Sequence, residues 1–481
     1  MRNLILPGNP RYQPKELQEI FGYDNLYLAP IKVELATMKV LADNNIIPKD
    51  EYKSLTVEII NQIKNITTTE VDDLERRVTH HDVRAIVQTI QKIIQTKLKR
   101  WVHVPLTSYD ALDTGRSLQF LEAYEKSLKP SLAKTVSYLM EMTEKYASTL
   151  QIGRTHGQHA LPITVGFWLA NILNRLLNNW KEMDHYAQAL SGKISGAVGA
   201  YNAQVALGFD EKFVVGAISF ESKVLKELGL RPAKISTQIM PPEPLAYFLF
   251  SCTMASATLG QFGRDCRHLM RSEIAEVAES FDVHQVGSST MAHKRNPINF
   301  ENLEGTWLKT KCEFGKVFET LISEHQRDLV GSSILRDLPT IVINLQQQLN
   351  TLNKENKDGV PFLKRISIDE ANCRRNFWMN ANYILAEPIY IALQMYGYEQ
   401  DAHKLVNEVL MKMAKEHQIS LFQALQARAQ EDAEITSVLA NFPPEMQETF
   451  LEPEKYTGLA AAKARLIVNE AEDFLKKIEV G

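Results

Sequence analysis

No two cysteines in this chain stand close enough to form a CxxC pair. Cys252, Cys266, Cys312 and Cys373 are widely separated, so neither a zinc site nor a disulfide framework is indicated. Apolar runs are short, and none approaches the roughly 20 residues of a membrane span. The opening MRNLILPGNPRY lacks the apolar core of a signal peptide. Together these absences predict a cytoplasmic protein that does not engage a membrane. Glycine (22) and proline (19) are sparse and gather at a few points, without the even turn spacing of an all-β chain. Neither charge dominates: 54 basic against 58 acidic residues leaves a formal net charge of -4, which argues against a general nucleic-acid binder. A phosphate-binding glycine loop and a GxGxxG after a strand are also missing, which disfavours ATP or dinucleotide chemistry. No organic cofactor and no metal is expected.

What is present is helix. At 481 residues the chain is too long for one compact core, and suggests two to four domains or one unusually long bundle. Helical patterns run from Glu16 to about Leu98, broken near Asn44–Pro48 and again before Thr67–Thr69, whose hydroxyls suit an N-cap. A long helical region extends from about Ala111 to about Glu355. Its pieces, Leu118–Leu150, Val165–Leu190, Leu245–Ser280 and Phe300–Glu324, each exceed the usual globular helix of about three turns. Leu245, Phe248, Leu249, Cys252, Ala255, Leu259 and Phe262 form one stripe of a helix that would be about 50 Å long at 1.5 Å per residue. Helices of that length must pack side by side, so the expected fold class is all-α with a long central bundle. The apolar stripes are core or subunit interface, and they serve to hold polar loops rigidly. After a turn at Asn356–Gly359, a last helical segment is expected from Ser367 to Ile478. The corresponding domains are 1–105 (helical), 106–365 (the long-helix bundle) and 366–481 (helical).

Four polar segments bear on chemistry. THHDVRA (Thr79–Ala85) sets two adjacent histidines in a helical pattern. PLTSYDALDTG (Pro105–Gly115) puts Thr107 and Ser108 where a helix begins, so hydroxyls and free N–H groups together suit an anion such as a carboxylate. Taken alone, those hydroxyls would only cap the helix. QIGRTHGQHALP (Gln151–Pro162) holds His156 in glycine-loosened backbone beside Thr155 and Gln158, just before a long helix. GSSTMAHKRNP (Gly287–Pro297) is a Gly-Ser-Ser loop followed by Lys294 and Asn296, a cation and an amide for a carboxylate. Glu301 follows four residues after Pro297.

In order and spacing these segments resemble the three signature regions of the fumarase/aspartase superfamily, whose third loop is usually written SSxMPxKxN. Only the Pro fails, since Ala292 stands there. Within that superfamily, RYQPKELQEIFG (Arg11–Gly22), STQIMPPE (Ser236–Glu243) and QRDLVGSSILRDLP (Gln326–Pro339) resemble the adenylosuccinate lyases. Gln326 replaces a usual Glu, and Pro241–Pro244 replace a usual charged pair. The resemblance covers the chain from Arg11 to about Lys463. It implies a three-domain fold, a homotetramer with active sites shared between subunits, and a small nucleotide as the partner molecule.

The implied reaction is elimination of fumarate from adenylosuccinate, giving AMP, and from the succinylated aminoimidazole carboxamide ribotide of purine biosynthesis. It removes a weakly acidic proton beside a carboxylate, and the resulting dianion needs dense hydrogen-bonding and positive surroundings. By resemblance, Ser288 is the general base and His156 the general acid. Glu301 orients and charges the acid histidine, and His81 positions substrate. Thr107, Ser108, Thr155, Lys294 and Asn296 would hold the carboxylates, and Gln238 would touch substrate. Arg11, Tyr12, Arg327, Ser332 and Arg336 would hold the 5'-phosphate, since arginines and hydroxyls are what a phosphate demands. His80 and His159 are read as neighbours without chemical roles. A sibling such as an argininosuccinate lyase would need no phosphate-binding set. An inactive scaffold of the same fold would have had no need to keep Ser288, His156 and Lys294.

Overall fold

The computed structural model describes residues 2–209, 213–214, 217–280, 291 and 293–480. Most of the described residues are helical. Among the described residues the strands are short and pair only two by two. The all-α fold class holds. Residues group into two compact units, the first made of Met1–Lys134, Asn178–Gly260 and Asn302–Asn353. The second comprises Thr135–Leu177, Gln261–Glu301 and Lys354–Gly481.

In the first unit, the stripe on the helix Glu243–Leu269 behaves as its spacing demands. Phe248, Leu249, Cys252, Ala255 and Leu259 are fully buried, while Tyr247 and Phe250, off the stripe, are exposed. Phe248 meets the rings of Phe120 and Tyr124 edge-on at 6.2 Å each. The polar tip of Tyr124 is satisfied inside this core: its hydroxyl donates to Asp184 at 2.6 Å and accepts from the Trp180 indole at 3.2 Å. The helices Leu28–Asp43 and Ser108–Ala123 cross at Gly115, where a Cβ would lie 2.8 Å from the ring of Pro30. Only glycine permits that approach. Thr67 caps its helix as its sequence suggested: its Oγ1 accepts the Glu70 N–H at 3.2 Å, and Glu70 Oε2 accepts the Thr67 N–H at 2.8 Å.

In the second unit, Phe300 packs against Phe262 and Phe362 at ring separations of 6.5 and 5.8 Å. A separate apolar cluster from Leu385 to Phe450 organises the C-terminal helices.

Several expected helices end early. The helix expected over Leu245–Ser280 runs from Glu243 to Leu269, 27 residues and about 40 Å long. Beyond it, Val277–Ala278 pairs antiparallel with Ser367–Ile368, and this bridge draws the chain out of helix. Phe300–Glu324 is helical only to Phe318. Leu118–Leu150 is helical to Lys145, with a wider turn over Tyr124–Leu128, and Leu150 opens a strand. The segment Ser367–Ile478 is broken into several short helices followed by one of 21 residues, Ala460–Val480. Gly397 and Gly458 (φ +98° and +54°) and the N-cap Pro443 supply breaks that a continuous pattern hides. Among the described residues, no helix is long and apolar enough to cross a membrane.

Candidate active site

A cavity of about 670 Å³ opens in the first unit. The helix Ser108–Ala123 forms one wall. Its residues Ser108, Tyr109, Leu112, Arg116 and Gln119 line the cavity at helical spacing. Thr107 begins that helix in a capping box: its N–H donates to Asp110 Oδ2 at 2.9 Å. The Asp110 carboxylate is buried against Lys193, and it accepts backbone N–H groups from Ser195 and Gly196 at 3.1 and 3.2 Å. A buried charge so fully partnered fixes the start of the helix, and with it Ser108.

His81 lines the same cavity and caps the helix Asp82–Ile93, its Nδ1 accepting the Arg84 N–H at 3.4 Å. Its ring is half exposed, which suits a group that meets a ligand. Asp82, next in the chain, lies 3.6 Å from the Arg336 guanidinium. Arg327 stacks on the Tyr109 ring at 3.5 Å, and its Nη1 donates to Gln238 Oε1 at 2.9 Å. The Arg327 Nε is buried without a hydrogen-bond partner. The Tyr109 and Ser332 hydroxyls are 3.3 Å apart. Tyr27 lines the floor, and burial, reinforced by Asp82, pushes its hydroxyl well above the usual tyrosine range.

The second unit carries the acid candidate. QIGRTHGQHALP forms a β-hairpin, Leu150–Thr155 paired with Gln158–Thr164. His156 sits at its exposed tip in left-handed backbone (φ +53°), followed by Gly157 (φ +76°), and Thr155 is exposed beside it. Glu276 anchors the hairpin. Fully buried, it accepts two bonds from Arg154 at 2.6 and 3.1 Å, one from Gln151 at 2.9 Å and one from Asn376 at 2.8 Å. His159, on the returning strand, lies 3.0 Å from the Asn380 amide, and burial with the nearby Arg154 cation pushes its ring below the usual histidine value.

Glu301 lies exposed in the first turn of the helix Ile298–Phe318. Glu279 caps that helix, accepting the Asn299 and Phe300 N–H groups at 2.9 Å each. Burial still pushes the Glu279 carboxyl above its usual range. Lys294 is exposed and Asn296 partly so. Ser288 falls outside the described residues, as does Ala292.

The cavity thus gathers His81, Ser108, Arg327, Ser332 and Arg336, with Gln238 bonded to Arg327. Arg11 and Tyr12 are not among its lining residues; Tyr12 instead lies under the Lys309 ammonium at 5.0 Å. Sequence reasoning missed Tyr109, Arg116 and Gln119. Their signal was available in TSYDALDTGRSLQ, where they repeat at helical spacing from Ser108 along the same face. It also missed Glu276, for which no local motif exists.

A family model described as lyase matches residues 15–309. The chain is 33% identical to adenylosuccinate lyase of Pyrococcus horikoshii, with 99% of each chain covered. It is 30% identical to adenylosuccinate lyase of Archaeoglobus fulgidus, covering 98% of this chain and 100% of that one. Its fold is similar to the 3-carboxy-cis,cis-muconate lactonizing enzyme of Pseudomonas putida, with a TM-score of 0.78, 24% identity and coverage of 96% and 98%. A fumarate lyase from Mesorhizobium sp. BNC1 gives a TM-score of 0.76 at 18% identity, over 95% and 97% of the two chains. The chain belongs to the adenylosuccinate lyases, within the fumarase/aspartase superfamily.

Proposed function

We propose that this chain eliminates fumarate from adenylosuccinate, releasing AMP, and from the succinylated aminoimidazole carboxamide ribotide. The observation that carries the reading is the gathering of Arg327, Arg336, Ser332, Ser108 and His81 around one cavity. A nucleotide phosphate and two carboxylates present three anionic groups, and this lining offers guanidinium forks and hydroxyl donors to meet them. The similarity to adenylosuccinate lyases of Pyrococcus horikoshii and Archaeoglobus fulgidus supports the same substrate.

In this reading Ser288 takes the proton from the carbon beside the carboxylate. Its hydroxyl becomes basic enough only when water is excluded from the site. The C–N bond breaks, the electron pair goes to the leaving nitrogen, and His156 donates a proton there. Glu301 orients and charges His156, while His81 positions substrate. Thr107, Ser108, Thr155, Lys294 and Asn296 hold the developing dianion. Gln238 contacts substrate and Arg327, Ser332 and Arg336 hold the phosphate, with Arg11 and Tyr12, outside the cavity lining, assigned to it by resemblance alone. The proposal involves no cofactor.

The chain acts as a homotetramer with shared sites, and large exposed apolar side chains on the long helices support assembly: Tyr247 (51%), Phe250 (47%), Leu308 (45%) and Phe318 (60%). The three-domain division 1–105, 106–365 and 366–481 is part of the same proposal. The self-contained apolar cluster from Leu385 to Phe450 supports its C-terminal member. The test is incubation with adenylosuccinate, following ultraviolet absorbance and assaying fumarate directly. An unchanged spectrum with no fumarate overturns the reading.

A further inference from the structure

Arg327 lies on the loop between the helix Ile298–Phe318 and the short turn Ser332–Leu335. The hydrogen bonds within this loop are local. Ser323 Oγ donates to Asp328 at 2.9 Å, and the Glu324 and Val330 N–H groups donate to the same carboxylate at 2.9 and 2.6 Å. Its large apolar side chains find little cover: Ile322, Leu329 and Val330 are exposed. What ties the loop to the cavity wall is the Arg327 guanidinium. One face lies on the Tyr109 ring at 3.5 Å, and its edge meets Gln238. Tyr109 is 6% exposed and held by the helix Ser108–Ala123, so its ring is a fixed platform. Its hydroxyl reaches Ser332, at the far end of the same loop.

We propose that Tyr109 is a positioning residue for nucleotide recognition, a platform that sets the plane of Arg327 and seats the loop carrying Arg327 and Ser332 at the cavity. This rests on the nucleotide reading of the cavity. The stacking occupies the guanidinium face and blocks no N–H, so the Nη donors not spent on Gln238 remain for an anion. It also restricts a flexible side chain before ligand arrives, which lowers the ordering cost of binding. Tyr109 itself takes no proton and touches no reacting atom.

The test compares Tyr109→Leu, Tyr109→Phe, Arg327→Ala and the double variant Tyr109→Leu/Arg327→Ala, using adenylosuccinate and the folded full chain. Loss of the platform raises KM about tenfold in Tyr109→Leu, with kcat within a few-fold of wild type. Tyr109→Phe, which keeps the ring face, recovers most of that loss. In the double variant the KM change is no larger than in Arg327→Ala alone, because the platform acts only through the guanidinium. A purely structural role would lower thermal stability and active fraction without this pattern. If Tyr109→Leu leaves KM unchanged, or its effect multiplies fully with that of Arg327→Ala, the proposal falls. Should Tyr109→Leu fail to fold, Tyr109→Met replaces it in the same cycle and is judged by the same outcomes. If wild type does not turn over adenylosuccinate at all, it is the nucleotide reading that fails, a result distinct from any difference among the variants.

Discussion

The carboxylate of Glu276 grips the guanidinium of Arg154 through both oxygens, at 2.6 and 3.1 Å, with the acid fully buried. Arg154 is two residues from His156. The pair therefore holds the hairpin close to the tip that carries the candidate general acid, and couples folding of the second unit to placement of that histidine.

Glu276→Ala strips Arg154, Gln151 and Asn376 of their shared acceptor. Removing one partner of a buried pair leaves the other charge uncompensated, at a cost of about 3 to 5 kcal/mol. Chemical denaturation should show that loss. Turnover should fall even under conditions where circular dichroism reports a fully folded chain, because the hairpin tip is no longer held. A stable variant with wild-type turnover would refute the anchor.

His103 offers a pH test. Burial opposes charging its ring, but the bond to Glu34 Oε1 at 2.6 Å and the Glu34 charge outweigh it, so the ring's pKa lies above the ordinary histidine value. A raised folded-state pKa gives stability that is present in full below the unfolded value of about 6.5. That stability is lost as pH rises through the folded pKa. The difference in unfolding free energy between wild type and His103→Gln should therefore be largest on the acidic side and shrink towards alkaline pH. A difference that stays constant with pH, or grows as pH rises, contradicts this assignment.

Ser288→Ala and His156→Asn should each lower kcat by roughly 10²- to 10⁴-fold, with KM little changed, since both residues act only as protons move. Asparagine is chosen because it tolerates the left-handed backbone at position 156. Retention of a tenth of wild-type turnover by either variant would remove its residue from the proton-transfer pair.

The caps at Thr67 and Thr107 and the helix over Val165–Ala189 were legible because their determinants are local. So was the buried stripe from Phe248 to Leu259, which helical spacing alone specifies. The hairpin around His156 was not. Its strands are short, a bulge between Ile152 and Arg154 breaks the alternation, and its anchor Glu276 lies more than a hundred residues away. The site motifs were legible singly. That Ser108 and Arg336 line one cavity is a tertiary fact, with no spacing in the chain to announce it.

Arg336→Ala should act on binding. Its guanidinium is exposed and lies 3.6 Å from Asp82, so little of its bonding capacity is spent within the protein. Loss of a charge-assisted phosphate contact costs about 2 kcal/mol, which raises KM roughly thirtyfold while kcat is largely kept. A substrate lacking its 5'-phosphate is the control: against it, wild type and Arg336→Ala should look alike. A variant equally impaired on both substrates would place Arg336 elsewhere than at the phosphate.

Shared sites predict complementation. If the His156 and Ser288 of one functional site come from different chains, then inactive His156→Asn and Ser288→Ala proteins should regain activity after dissociation and joint reassembly. With equal amounts and random association in a closed assembly, about one site in four receives an intact histidine from one parent and an intact serine from the other. Recovery near a quarter of wild type is the expected result, and each parent treated alone should stay at background. Light scattering on the mixed sample decides what a failure means. Reassembled tetramers without activity would show that the two residues act within one chain, and would remove the sharing of sites from the proposal while leaving the roles of both residues intact.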